Sequence, residues 1–200
     1  TSYDPGSDII QLAGDICSTT HKDGQIRAAA VLWEGVTTAF ACSPQGVCAN
    51  VICDSNGNGT VYVWECASFT MLNTFTVAPP GKFVQVWFSP NGQILVGRCA
   101  DPDNTTFIWV AEHFNWSGAS FVCRFATHHG HVRAAVLIDN TKANFSSMTL
   151  VTLIPAVDGF MKLWTIKDRM AQGQSCVIAD RHLLCDASAM IAMADGQVVC

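Results

Sequence analysis

The side chains able to do chemistry in this chain are six histidines, ten cysteines, and Asp and Asn residues that stand a fixed distance before tryptophans. His128, His129 and His131, with His113 upstream, have the residue type of a metal site. Three imidazoles within four residues of a turn do not converge well on one tetrahedral ion, and no Cys or carboxylate stands at a supporting spacing. The cysteines are Cys17, Cys42, Cys48, Cys53, Cys66, Cys99, Cys123, Cys176, Cys185 and Cys200. No Cys-x-x-Cys pair occurs among them, so the usual spacing of a zinc site is missing. Most sit inside apolar runs such as Val51-Ile52-Cys53 and Phe121-Val122-Cys123, where a free thiol behaves as a small buried hydrophobe. A secreted disulfide framework is the alternative, and glycosylation sequons at Asn58, Asn104, Asn115 and Asn144 would fit it. Two of those sequons fall on turns where Asn is wanted for its backbone, which favours reduced cysteines in an intracellular chain. There is no Gly-x-Ser-x-Gly elbow, no Cys beside His in a nucleophile motif, and no P-loop; Asn56-Gly57-Asn58-Gly59 is a turn. No catalytic, cofactor-binding or metal-binding residue is expected.

The residues before the tryptophans carry more information. Three seven-residue stretches, Asn58–Trp64, Asp103–Trp109 and Asp158–Trp164, each open on Asn or Asp and close on Trp. Asn-Gly, Asp-Asn and Asp-Gly tolerate left-handed backbone angles and suit the tight turn between two antiparallel strands. After each turn, apolar residues alternate: Val61 with Val63, Phe107 with Trp109, Met161 with Leu163. The tryptophans lie 45 and then 55 residues apart, about one four-stranded unit, so the stretches mark a repeat. Ile26-Arg27-Ala28-Ala29-Ala30-Val31-Leu32 also echoes Val132-Arg133-Ala134-Ala135-Val136-Leu137.

The heptads resemble the WD40 repeat, in which an Asp turn and a strand ending in Trp close each β-propeller blade. Phe88-Ser89-Pro90-Asn91-Gly92 is similar to that family's Phe-Ser-Pro-Asp-Gly corner, and Cys42-Ser43-Pro44-Gln45-Gly46 stands in the same role. Gly130-His131 precedes Trp164 as the family's Gly-His does. The resemblance implies an all-β, WD40-type propeller, a partial ring of four-stranded antiparallel blades. It also implies a hydrogen-bonded tetrad inside a blade, here His131, Thr152, Asp158 and Trp164. The first blade offers His21, Asn58 and Trp64, with Asn in place of Asp. The second offers Asp103 and Trp109 without a His.

Blade boundaries follow. Residues 1–20 are expected to form a lead-in with one strand, Asp8–Leu12. Blades are expected over 21–77, 78–127 and 128–180, with an incomplete one over 181–200, where Ala194–Cys200 repeats the heptad pattern. In the first blade Ile26–Leu32 is expected as the first strand, and the second is either Thr37–Cys42 or Cys48–Cys53. Residues 112–119 are expected as a surface loop, and Lys167–Gln174 as a polar connection. Trp33, Trp87 and Trp116 are expected in the core or between blades.

Half the residues are apolar and only 14% are charged, so most of the chain must pack against something. A formal charge of −5 with scattered Lys and Arg argues against a nucleic-acid surface. No apolar run reaches the ~20 residues that a spanning helix needs. The family resemblance implies a non-catalytic scaffold, binding other proteins through rim loops in the cytoplasm or nucleus. Arg27, Lys82 and Arg133 are expected on that rim, since Arg packs its stem while its fork pairs with carboxylates. The rivals are a propeller hydrolase with a metal in its channel and a secreted, glycosylated receptor domain.

Overall fold

The computed structural model describes residues 8–13, 16–21, 26–31, 36–54, 58–77, 83–89, 91–99, 104–126, 134–138, 147–154, 160–177, 191–192 and 198–199, with side chains over 37–54, 58–76, 83, 85–89, 91–99, 104–126 and 162–174. These residues are nearly all strand. β1 (Asp8–Ala13), β2 (Ile16–His21) and β3 (Ile26–Val31) form a three-stranded sheet in chain order. β4 (Val36–Cys42), β5 (Val47–Cys53), β6 (Gly59–Glu65) and β7 (Met71–Val77) form the second sheet. The third is β8 (Phe83–Phe88), β9 (Ile94–Cys99), β10 (Thr105–Val110) and β11 (Ser120–Ala126). The fourth is β12 (Ala134–Ile138), β13 (Ser147–Ile154), β14 (Phe160–Lys167) and β15 (Met170–Val177). A short ladder pairs β16 (Ile191–Ala192) with β17 (Val198–Val199). The fold is all-β, with antiparallel four-stranded sheets whose strands follow chain order. The chain divides into two compact units, Thr1–Cys99 with Val110–Ser120 and Ala100–Trp109 with Phe121–Cys200.

Four strand assignments differ from expectation. Residues 1–20, expected to hold one strand, hold Asp8–Ala13 and most of a second, Ile16–His21, paired with it. Ile26–Val31 is not the first strand of the second sheet; it closes the three-stranded sheet behind β1 and β2. Both candidates for the next strand exist, Val36–Cys42 and Val47–Cys53, as neighbours in one sheet. Lys167–Gln174 is a hairpin rather than a connection. Asp168 and Arg169 sit at φ 52° and 64°, so a two-residue turn with both central residues left-handed joins β14 to β15.

Burial follows the pleat. On β6, Val61 and Val63 are buried on one face, while Thr60 and Tyr62 on the other are half-buried. The inner strands β5, β9 and β10 are buried along nearly their whole length, as their continuous apolar runs require. Each such Val, Ile or Leu contributes ~1.5–3 kcal/mol relative to exposure.

The two Ser-Pro-x-Gly corners share one construction. Gly46 N–H donates to Ser43 O at 3.2 Å, and Gly92 N–H donates to Ser89 O at 2.8 Å. Val47 N–H reaches the Ser43 hydroxyl at 3.1 Å, and Ile94 N–H the Ser89 hydroxyl at 3.0 Å. Both glycines are left-handed, at φ 80° and 73°, which a side chain would resist. Within the first unit, β4 runs beside β8, and the Gln45 side chain fills the space that a Cβ on Gly92 would need. The expected surface loop is two single-turn 3-10 segments, Glu112–Phe114 and Trp116–Gly118. Trp116 is buried, its indole N–H donating to Gly92 O at 3.3 Å and its ring edge-on to Phe88. Asn73 of β7 donates to Trp116 O at 2.9 Å.

Candidate functional site

One face of the second sheet brings a cluster of aromatic side chains together with three thiols. Phe40 and Cys42 of β4, Cys48 and Ile52 of β5, and Tyr62 and Trp64 of β6 lie together there, joined by Cys66 and Phe69 from the turn beyond β6. Trp64 is fully buried, stacked on Phe69 at 5.7 Å and tilted against Phe40 at 6.2 Å. A buried indole N–H needs an acceptor. It finds Asn50 Oδ1 at 3.1 Å, on the neighbouring strand. Asn50 is itself buried, and its amide nitrogen Nδ2 has no hydrogen-bond partner.

At the corner end of the same face three thiols meet. Cys42 and Cys48 are directly opposite across β4 and β5. The next pair outward, Ser43 and Val47, carries the backbone bond from Ser43 N–H to Val47 O at 2.8 Å. Hydrogen-bonded and non-bonded pairs alternate along an antiparallel ladder, so Cys42 and Cys48 form a close pair, with Cα atoms ~4.5 Å apart. Their sulfurs lie 2.6 Å apart. Cys48 also faces Trp64 across β5 and β6. Cys66 lies two residues past Trp64, and its N–H donates to Gly46 O at 2.8 Å, which draws it back over the corner. Its sulfur stands 2.8 Å from that of Cys48. In the third sheet the pair opposite one another at this level is Phe88 and Leu95, and Ala111 N–H makes the return bond to Gln93 O. Three sulfurs therefore occupy a place that is hydrocarbon in the next sheet.

The thiols are electrostatically unequal. Donation from the Cys48 thiol, then from that of Cys66, holds Cys42 far below the ordinary thiol range, at about 5, against the opposing effect of burial. Burial, then its hydrogen bonds with Cys42 and Cys66, pushes Cys48 up. Cys42 is half-buried, whereas Cys48 and Cys66 are closed off from solvent. The three sulfurs lie within 4.8 Å of one another and are the one group of three or more metal-capable ligands among the described residues. Elsewhere, burial alone raises Cys123 to about 11, and burial is the first cause of Cys99 rising to about 12.

The residues singled out from sequence fare unevenly. Trp64, Trp109 and Trp164 are all buried, each on the third strand of its sheet. Asn58 closes the β5–β6 turn: its N–H donates to Asp54 Oδ1 at 2.8 Å and its side chain to Asp54 Oδ2 at 2.9 Å. His21 ends β2, opposite Asp8, Arg27 lies in β3, and Thr152 of β13 pairs with Ala135 and Lys162; their side chains are outside the described residues. Lys82, Asp103, His131, Arg133 and Asp158 lie outside the described residues, as do His128, His129 and Trp33. Of the histidine cluster, His113 is described; it is exposed at φ 51°. Two features escaped the sequence reading. Asn50 is the one strongly polar residue in Val47–Cys53, which was a usable signal. The thiol group carried no signal, because its members come together only by cross-strand pairing.

No helix among the described residues is long and apolar enough to cross a membrane. Comparison with protein-family models and with curated proteins returns no match.

Proposed function

We propose that this chain is a stretch of a WD40-type β-propeller that serves as a non-catalytic scaffold, binding other proteins as one subunit of a larger assembly in the cytoplasm or nucleus. The observation that carries this reading is the packing of β4 beside β8, the first strands of successive four-stranded sheets, with equivalent Ser-Pro-x-Gly corners touching at Gln45 and Gly92. Blades of a propeller pack in this manner, first strand inward. The buried polar groups of the second sheet also have structural employment: Asn50 holds Trp64, and Asn58 and Asp54 hold a turn. Repeats of this sort bury their apolar faces on neighbours and leave their loops for recognition. The fourth strands add Met71, Phe121 and Met170, all large apolar side chains left exposed.

The partner-facing rim in this reading holds Arg27, Lys82 and Arg133. Quantitative affinity purification of the tagged protein, wild type against the combined Arg27→Glu, Lys82→Glu and Arg133→Glu variant, tests it. The scaffold reading expects a defined set of proteins to be lost by the variant, with an unchanged melting temperature. Retention of the same set, or unfolding of the variant, makes the basic residues structural and removes the rim.

A further inference from the structure

We infer that Cys42 and Cys48 are a thiol–disulfide site, oxidised to a cross-strand disulfide by hydrogen peroxide, with Cys66 as the thiol that exchanges into it. Three observations carry this.

The first is geometric. Cys42 and Cys48 occupy directly opposed positions on a close pair of an antiparallel ladder, whose Cα separation of ~4.5 Å lies inside the range that a disulfide spans. The backbone therefore needs no movement to bring the sulfurs into bonding position.

The second decides between a disulfide and a metal. Three thiolates around a zinc ion with bonds of ~2.3 Å would stand ~3.8 Å apart. The sulfurs here are at 2.6 and 2.8 Å, tighter than any tetrahedral or trigonal set around a metal would be. Binding an ion would require the two strands and the Cys66 turn to spread, whereas bonding Cys42 to Cys48 requires a small approach.

The third is access. Cys42 is half-buried and Cys48 is fully buried, so a small oxidant meets Cys42 first. A thiolate held at low pKa beside a second thiol is the arrangement that oxidises selectively. The Cys42 thiolate attacks the peroxide O–O bond, sulfur is oxidised to the sulfenic acid, and hydroxide leaves to become water. Cys48 then attacks that sulfur; the Sγ–Sγ bond forms, the S–O bond breaks, and hydroxide departs with the Cys48 proton as a second water. Two thiols and one peroxide become one disulfide and two waters. Cys66, 2.8 Å from Cys48, can attack the Cys48 sulfur in turn, moving the bond to Cys48–Cys66 and releasing Cys42 as thiolate.

The test uses the full chain, reduced, freed of reductant and metal, and exposed to stoichiometric hydrogen peroxide. Remaining thiols are blocked with N-ethylmaleimide, and the unreduced protein is cleaved after Glu34 and Glu65 for mass spectrometry. The inference expects the 35–65 peptide to be two hydrogens lighter, with one label, on Cys53, and restoration by dithiothreitol. A Cys42→Ser variant should instead cross-link that peptide to the one beginning at Cys66, and Cys48→Ser should form neither bond. The wild-type map stands even if a variant fails to fold. Full labelling of Cys42 and Cys48 while other cysteines pair overturns the inference. So does equal pairing in the urea-unfolded chain, or protection of all three thiols by added zinc without loss of hydrogen.

Discussion

Trp64 and Asn50 are diagonal neighbours on adjacent strands, the indole N–H donating to the amide oxygen at 3.1 Å inside a face sealed by Phe40 and Phe69. Neither group meets water, so the bond is worth more as an avoided penalty than as an attraction. Asn50→Ala leaves the indole N–H without an acceptor and should cost about 1–3 kcal/mol. Asn50→Thr, which keeps an oxygen on the same strand, should recover part of that loss. Denaturant titration of the two variants checks this, and equal losses would show that the oxygen is irrelevant.

Trp164 is the counterpart on β14, 7% exposed, with Phe125 at 5.0 Å and the Lys162 ammonium 4.2 Å from its ring. Trp164→Ala should cost about 3–5 kcal/mol as a large-to-small core change. A loss under about 1 kcal/mol in a denaturant melt would contradict a structural role for this tryptophan.

Gly92 is constrained twice, by φ 73° and by the Gln45 side chain lying where a Cβ would be. Gly92→Ala should destabilise by about 1–2 kcal/mol from backbone strain alone. Adding Gln45→Ala should relieve the steric part and leave the strain, so the two changes are expected to be non-additive. Additive losses would mean that the corners do not touch.

Alkali should destabilise this protein through its buried thiols. The unperturbed thiol value is 9.0, and burial raises Cys99 to about 12 and Cys123 to about 11. Below pH 9 both thiols are neutral, folded or unfolded, and their burial is unopposed. As pH rises from 9 towards 12 the unfolded chain releases protons that the folded chain holds, so stability falls through that window. Melting temperature measured from pH 8 to 11 should drop, and Cys99→Ala with Cys123→Ala should flatten the drop. An unchanged slope in that double variant would remove the thiols as its cause.

Much of the fold was legible where alternation and turn chemistry agreed. The three heptads end on tryptophans buried on the third strands of their sheets, and the Ser43 and Ser89 corners keep the same Gly-to-Ser and strand-to-Ser bonds, with one extra residue, Gln93, in the second. Alternation identifies a strand but not its sheet, which is why Ile26–Val31 was placed one sheet too late. The echo between the two Ser-Pro-x-Gly corners held the better alignment, because it fixes Val36–Cys42 beside Phe83–Phe88 as first strands. Lys167–Gln174 misled by polarity; an edge strand can expose Gln172 and Gln174, and its turn uses Asp168 and Arg169 where Asn-Gly would have been recognised. At the candidate site, spacing was blind to Cys42, Cys48 and Cys66, since their proximity is a product of register. Asn50 is legible only by polarity, as the one strongly polar residue of Val47–Cys53.

The second and third sheets pack first strand to first strand, β4 beside β8, with their corners in contact at Gln45 and Gly92. A nuclear Overhauser spectrum of the uniformly labelled chain reports on that contact directly, at Gln45 and Gly92. Cross-peaks from the Gln45 side-chain amide to the Gly92 α-protons, together with one from the Trp64 indole N–H to Asn50, are the predicted result. Assigned resonances for Gln45 and Gly92 with no cross-peak between them would contradict the account.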